Sequence, residues 1–323
     1  DDVSSDGTQA MLARMAAEDE RIRVILSDTN AGTYVAKNRA MQLANGGFAY
    51  WPGGTEANRY GSAYATWVLG RAIKAGYAVP DDMYAAALNY LSVEVGAWMA
   101  EAAPTRGRDI EIALALSALA VIQAAPTPAL DKLYARRQGM PSFTKAMLLL
   151  ALHDQLPNDP RNATLLGELR SFIDEREAIA RVEDDTGTWT WYWDSSVRSS
   201  ALVLLAYLEV DPQHVLVPKL TRGLLDSRRG GRWSNTQENA YALVALAEYA
   251  AIYEAVEPHF EGRVWLDRSA VARVRVDGRK FEFEEGFTGM SALLLADQQD
   301  PDSSRLLLER AGVGRMYYRV GLE

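Results

Sequence analysis

The stretch Gly46-Gly47-Phe48-Ala49-Tyr50-Trp51-Pro52-Gly53-Gly54 stands directly before an Ala-rich segment, residues 60–75, whose apolar side chains recur at helical spacing. Two further copies of this combination follow, with residues 187–193 before 195–210 and residues 230–234 before 236–250. A glycine-rich aromatic turn that repeatedly precedes an apolar helix is typical of a repeat architecture, because each unit must stack on its neighbours to bury its apolar face.

Two kinds of helical segment alternate through the first 255 residues or so. Apolar segments begin near residues 60, 109, 142, 196 and 236. Amphipathic segments lie between them, at 34–44, 81–95, 128–137, 162–181 and 213–227. This alternation predicts a mainly α fold, an α/α toroid of about six helical hairpins with the apolar helices inside. Five pairs are clear, and a poorer one involves residues 8–26.

A change of periodicity near residue 262 predicts a small β unit. Ala272, Val274 and Val276 alternate with charged residues, and Asp277-Gly278 is a favoured two-residue hairpin turn. Residues 305–309 and 315–322 have the pattern of two more strands around Ala311-Gly312. We therefore expect two domains, a toroid over residues 1–258 and a partial β-sandwich over residues 259–323.

The composition argues against several classes of function. The formal charge of -9 and the pI of about 5.1 disfavour nucleic acid and anionic membranes as main partners. No apolar run is long enough for a transmembrane segment. The chain has no cysteine, and its three histidines are far apart, so we expect no metal site. Because no phosphate loop, dinucleotide fingerprint or nucleophile elbow is present, we expect no cofactor and no enzymatic activity.

One alternative is a carbohydrate-active α/α-toroid enzyme, a glycosidase or a lyase. Inverting glycosidases need two carboxyl groups about 6.5 to 9.5 Å apart. Acidic residues near predicted helix starts could line the mouth of the toroid and supply such carboxyl groups. They are Asp109 with Glu111, Asp184 with Asp185, and the single residues Asp194 and Glu238. The same residue types are common as helix N-caps, so a structural role for them stays open.

The aromatic residues of the turns are the candidate rim or packing residues. They are Trp51, Tyr60, Trp189, Trp191, Trp193 and Trp233. In an extended segment the three alternating tryptophans would project to one side, as partner-binding or sugar-stacking rings do. The other interpretation is that these rings fill the space between helical hairpins, which we expect of Trp233 in particular.

Four phrases resemble the thioester-domain region of the bacterial α2-macroglobulin family, from about residue 32 to the end of the chain. They are residues 46–54, Ala75-Gly76-Tyr77-Ala78-Val79-Pro80, residues 232–240 (Arg-Trp-Ser-Asn-Thr-Gln-Glu-Asn-Ala) and Gly314-Arg315-Met316-Tyr317-Tyr318. The resemblance implies a helical toroid inserted into a CUB-type β-sandwich. It also implies broad-spectrum endopeptidase inhibition by a periplasmic or cell-envelope parent, whose partners are target proteases and its own other domains.

The chain departs from this family pattern in one respect. Active members carry Gly-Cys-x-Glu-Gln, in which the glutamine side chain acylates the cysteine sulfur, and this motif precedes the Gly-Gly-Phe phrase. Two interpretations stay open: the motif lies upstream of Asp1, or Asp6-Gly7-Thr8-Gln9 is its degenerate remnant. No catalytic, metal or cofactor-binding residue is therefore assigned. The expectation is a non-catalytic fragment of a protease-trapping protein, without a thioester in this chain.

Overall fold

The computed structural model describes residues 3–20, 22, 24–26, 33–51, 53–184, 195–266, 269–278, 280–285, 305–316 and 318. The chain divides into two compact units, Asp1–Leu243 and Val244–Glu323. The change from helix to strand occurs between Tyr253 and His259. The domain boundary expected after residue 258 stays a prediction.

The described part of the chain is mainly helical. In chain order its helices are α1 (Thr8–Glu18), α2 (Thr33–Met41), α3 (Arg59–Lys74), α4 (Asp81–Ala100), α5 (Arg106–Ala120), α6 (Thr127–Ala135), α7 (Ser142–Gln155), α8 (Arg161–Arg170), α9 (Ser196–Val210), α10 (Leu216–Asp226) and α11 (Thr236–Tyr253). A short antiparallel hairpin, β1 (Ile173–Glu175) and β2 (Ala180–Val182), separates α8 from α9.

The apolar helices form the core of the first unit. Every residue of α7 from Ser142 to Leu152 is buried, and so is every residue of α9 from Arg198 to Leu208. Four of the apolar helices contact one another in succession, α3 with α5, α5 with α7, and α7 with α9. The amphipathic helices contact these from outside. In α10, for example, only one side of the helix is buried, and this side includes Leu216, Val217, Leu220 and Leu224. The predicted alternation of apolar and amphipathic helices is therefore present.

Two predicted helices are shorter in the structure. The helix expected over residues 8–26 ends at Glu18, because Asp19 has extended backbone. The helix expected over residues 162–181 ends at Arg170, and β1 and β2 occupy much of the rest. Burial explains the second difference. Ala180 and Val182 are buried, and the Val182 amide donates to Ser200 Oγ of α9 at 2.9 Å.

The second unit contains a four-stranded antiparallel sheet. Its strands are β3 (His259–Leu266), β4 (Ser269–Asp277), β5 (Lys280–Glu285) and β6 (Leu306–Val313), in the spatial order β5-β4-β3-β6. The hairpin predicted at Asp277-Gly278 joins β4 to β5. The strand predicted over residues 305–309 is present as the first part of β6, which continues through Ala311 and Gly312 because it pairs with β3 along its whole length, Phe260 lying opposite Gly312. Most of residues 315–322, where a further strand is predicted, lie outside the described residues.

The two faces of this sheet differ in polarity. Phe260, Val264 and Val274 share the apolar face, and the last two are only partly buried. On the other face, Glu261 pairs with Arg263 and with Arg273. The apolar face is thus incompletely covered by the described residues of its own unit.

An ion-paired carboxylate in the helical unit predicts a pH-dependent contribution to stability. Burial alone would raise the pKa of Glu168, but hydrogen bonds from Lys145 and Arg137 outweigh it and hold the pKa below its ordinary value of about 4.5. A lowered pKa in the folded state stabilises the protein above pH 4.5 or so, and this stabilisation is lost as the pH falls through the lowered value.

We therefore expect Glu168→Gln to unfold at a lower temperature than the unchanged chain near pH 6, and the gap to close below about pH 4.5. Thermal unfolding between pH 6 and pH 3 measures this gap. Glu177→Gln is the control, because Glu177 is exposed. A gap for Glu168→Gln that is independent of pH would contradict the assignment.

Candidate functional site

The starts of α3, α5, α7, α9 and α11 meet at one end of the helical unit, which we call the loop end. Asp184 links the starts of α7 and α9, since it accepts hydrogen bonds from the Ser142 amide at 3.2 Å and from Ser199 Oγ at 3.0 Å. Arg198 at the start of α9 lies 3.4 Å from the hydroxyl of Tyr60 at the start of α3. The starts of α3, α7 and α9 are therefore neighbours in space, while the aromatic phrase of residues 187–193 lies outside the described residues.

The turn of residues 46–54 is held by hydrogen bonds from the adjoining helices. Gln42 Nε2 donates to the carbonyl of Gly46 at 3.0 Å and to the carbonyl of Met83 at 2.8 Å. The Phe48 amide donates to Ser62 Oγ of α3 at 2.8 Å, and the Phe48 ring is buried. Gly46 has a φ of 88°, and a Cβ there would overlap the Ala86 carbonyl of α4. Only glycine suits this position.

A cavity of about 410 Å³ lies beside this turn, and we call it the aromatic cavity. It is lined by Asn38, Met41, Phe48, Ala49, Tyr50, Asn58, Tyr60, Gly61, Tyr64, Ala65, Asn235, Thr236 and Gln237. Tyr64 contacts Tyr241 of α11, their ring centroids being 5.4 Å apart. Burial, followed by the neighbouring Tyr60, raises the pKa of Tyr64 to about 12, so its phenol stays protonated at neutral pH.

A buried arginine lies at the loop end. Arg198 is fully buried, and its guanidinium carbon stands 4.1 Å from the ring centroid of Phe143. Such a position over an aromatic face stabilises a desolvated cation. Arg198 thus places a positive charge beneath the phenol of Tyr60, among apolar helices.

The candidate carboxylates that are described have structural partners. Asp109 is fully buried, forms an ion pair with Arg136 at 2.8 Å and accepts a hydrogen bond from Trp98 Nε1 at 3.2 Å. Glu111 pairs with Arg108, which also binds Glu94. Burial raises the pKa of Glu111, against the opposing effect of Arg108.

The remaining acidic candidates cap helices or lie outside the described residues. Glu238 takes part in the cap of α11: it is buried and accepts a hydrogen bond from the Ser234 amide at 2.8 Å, while Asn235 Oδ1 accepts from the Glu238 amide at 2.9 Å. Asp184 bonds to α7 and α9 as described above. Asp185 and Asp194 lie outside the described residues. The described candidate carboxylates are therefore engaged by protein groups, although Glu111 also lines a polar cavity of about 560 Å³ together with Glu56 and Glu94.

The candidate aromatic residues differ in exposure. Trp51 is 71% exposed and meets Tyr50 edge to face, with ring centroids 5.0 Å apart. Tyr60 is half-buried and lines the aromatic cavity. Trp233 is only 6% exposed, and its Nε1 donates to the Leu224 carbonyl and to Ser227 Oγ, each at 3.0 Å. Trp189, Trp191 and Trp193 lie outside the described residues.

Sequence reasoning did not single out four residues that shape the loop end: Gln42, Tyr64, Arg198 and Tyr241. Arg198 carried a usable signal, since a charged residue interrupts the otherwise apolar pattern of α9. Gln42 carried none, because its carbonyl partner at Met83 is 41 residues away.

Other features of the described chain limit the chemistry. Among the described residues, no three His, Asp or Glu side chains are grouped so that they could hold a metal ion. Within the same residues, no helix is both long and apolar enough to cross a membrane. Asp6 and Thr8 of the candidate thioester remnant form an exposed turn at the start of α1, the Asp6 carboxylate accepting from the Thr8 amide at 3.1 Å.

Comparisons with known proteins give three kinds of match. A family model described as glycosyl transferase family 2 matches residues 1–51 only, which end before α3, and this is too little of the chain to show a family. An "Alpha-2-macroglobulin homolog" from Nostoc sp. is 27% identical over 308 residues, which are 91% of this chain and 15% of that protein.

Solved structures of bacterial α2-macroglobulins share the fold. The cryo-EM structure of the native conformation of the Escherichia coli protein has a TM-score of 0.57 at 18% identity, over 96% of this chain and 17% of that one. The crystal structure of the Salmonella protein reacted with methylamine has a TM-score of 0.57 at 20% identity, over 88% of this chain and 18% of that one.

The chain therefore spans less than a fifth of the length of these three relatives. The match in sequence covers nearly the whole chain, and the match in fold takes in both its helices and its strands. These findings confirm the resemblance of this chain to the bacterial α2-macroglobulin family.

Proposed function

We propose that the chain is a non-catalytic part of a bacterial α2-macroglobulin-like, broad-spectrum protease inhibitor, which acts by trapping its target. The observation that carries this proposal is the 27% identity to a curated homologue over 91% of the chain. The shared fold with Escherichia coli α2-macroglobulin, whose solved structures include forms activated by trypsin and by porcine elastase, supports the same proposal. Target proteases and the other domains of a longer parent are the proposed partners.

The proposed architecture is an α/α toroid of about six hairpins over residues 1–258, followed by a CUB-like β-sandwich segment over residues 259–323. The alternation of buried α5, α7 and α9 with amphipathic helices supports the toroid. The partly exposed apolar face of the sheet, with Val264 and Val274, supports a sandwich that other strands complete. An extracytoplasmic location, periplasmic or at the cell envelope, follows from the proposed family role.

No thioester is proposed within this chain. The bond needs a cysteine sulfur, and the sequence has none. The cavity beside the turn of residues 46–54 and the exposed Tyr50 and Trp51 are proposed as the rim at which the helical unit meets other domains. Trp233 and Tyr60 are proposed as packing residues.

The described carboxylates do not favour the alternative of a carbohydrate-active enzyme. Asp109 is fully buried in its ion pair, and Glu94 and Glu111 are both held by Arg108. An acid and base pair for glycoside hydrolysis needs room for a sugar between its carboxyl groups. The assay that tests the protease-inhibitor proposal is protease activity on a large protein substrate, compared with activity on a small peptide.

A further inference from the structure

A tight hairpin at the loop end holds two arginines side by side. Arg229 and Arg232 are antiparallel bridge partners, with amide to carbonyl distances of 2.9 and 3.3 Å. Gly230 and Gly231 between them have φ values of 59° and 81°. Two positive φ values in a two-residue loop are the geometry of a type I′ turn, which glycine adopts without strain. The segment is therefore a regular two-residue β-hairpin turn and not an irregular loop.

The pairing places two positive charges opposite each other. Side chains of directly paired residues lie on the same side of a hairpin, about 4.5 to 5.5 Å apart at Cβ, and like charges there destabilise it. Neither Arg229 nor Arg232 forms an ion pair with a described residue, although acidic residues outnumber basic ones in the chain by 43 to 34. The nearby Asp226 pairs instead with Arg181. An anion between the two guanidinium groups would remove the repulsion.

A polar cavity of about 700 Å³ opens beside the hairpin, and we call it the arginine cavity. Its lining includes Arg229, Arg232, Ser234, Asn235, Thr236 and Asn239. The buried Trp233 and its hydrogen bonds fix one wall, and Asn239 Nδ2 adds a bond to the Trp233 carbonyl at 3.0 Å. Because α11 begins at Thr236, the positive end of its dipole also faces this region.

We propose that the arginine cavity binds the carboxylates of a short acidic peptide segment. Two adjacent guanidinium groups suit planar carboxylates, which each can bind through paired hydrogen bonds. The neutral hydroxyl and amide groups of the lining supply further hydrogen bonds. A nucleic acid is a poorer occupant, because its charges extend along its whole length and beyond the cavity would meet a chain with a formal charge of -9. This proposal does not depend on whether the parent inhibits proteases.

The test is fluorescence anisotropy of a labelled peptide, Gly-Glu-Asp-Glu-Asp-Gly, titrated with the full 323-residue chain. The double variant Arg229→Gln with Arg232→Gln removes both proposed contacts. A control double variant, Arg222→Gln with Arg14→Gln, removes the same net charge from exposed positions outside the cavity. The amide peptide Gly-Gln-Asn-Gln-Asn-Gly and inorganic phosphate are the comparison ligands. All four arginines are exposed, so unchanged melting temperatures should show that the variants fold.

The proposal expects the acidic peptide to bind and the amide peptide not to bind. The cavity variant should bind at least about tenfold more weakly, while the control should stay within about twofold of the unchanged chain. Added salt should weaken binding. Equal binding by the cavity variant, or by the amide peptide, would overturn the proposal. Phosphate binding at this site without peptide binding would overturn the choice of a peptide as occupant.

Discussion

Replacing Trp233 by alanine is expected to lower the free energy of unfolding by about 3 to 5 kcal/mol, the usual range for truncating a fully buried aromatic ring. The ring is 6% exposed, and its Nε1 hydrogen bonds to Leu224 and Ser227 connect the end of α10 to the loop before α11. Truncation would leave a cavity and remove both bonds. Chemical denaturation of the chain, followed by circular dichroism, measures the change.

Trp51→Ala is the matched control for this variant. Its ring is 71% exposed, so the same truncation removes little buried surface and should leave the denaturation midpoint nearly unchanged. Equal midpoints for Trp233→Ala and the unchanged chain would contradict the packing role and would favour Trp233 as a contact for a partner.

Replacing Asp109 by alanine is expected to cost about 3 kcal/mol, the low end of the range for breaking a buried ion pair. Asp109 is fully buried, but the side chain of its partner Arg136 is 29% exposed. Water can therefore solvate Arg136 in part after the carboxylate is lost, which reduces the loss of stability. The change also leaves the buried Trp98 Nε1 without its acceptor, which itself is unfavourable. Denaturation at neutral pH again measures the effect.

The control for this second variant is Asp131→Asn. Asp131 pairs with Arg161, but its side chain is 56% exposed, so its removal should cost at most about 1 kcal/mol. If Asp109→Ala proved as mild as the control, Asp109 would have no large structural role. The possibility that it serves a ligand or substrate would then have to be reopened.

The parts of the fold that local sequence determines were predictable. Helical periodicity predicts where α3, α5 and α9 begin to within about three residues, because the signal lies within the helix itself. The hairpin at Asp277-Gly278 is likewise a two-residue signal.

The parts that depend on distant contacts were not predictable. No side chain of its own loop caps α7, and Asp184 supplies the cap from 42 residues away. The segment after Arg170 has a helical pattern, yet it forms β1 and β2 because Ala180 and Val182 are buried in a tertiary setting. Propensity is a weak prior that such contacts override.

In the candidate site, too, some features follow from local sequence and others depend on distant contacts. The described aromatic phrases before α3 and α11 point to the loop end, since Tyr50 and Asn235 line the aromatic cavity there. Burial was expected of Trp233 and is found, but the phrase alone does not distinguish it from Trp51, which occurs in a similar glycine-rich phrase and is exposed. The contact of Arg198 with Tyr60 joins residues 138 positions apart and has no local signal. The pairing of Arg229 with Arg232 across the Gly230-Gly231 turn likewise follows from the structure and not from the sequence pattern.

The most direct test of the proposed protease-trapping role compares two proteins in one assay. The first is the 323-residue chain, and the second is the longest natural protein that contains it. Each is incubated with trypsin, and cleavage of casein and of a small chromogenic peptide is then followed. The account predicts that the longer protein suppresses casein cleavage while the small peptide is still hydrolysed, and that the chain alone changes neither rate. Unimpeded casein cleavage in the presence of the longer protein, or strong protection by the chain alone, would contradict it.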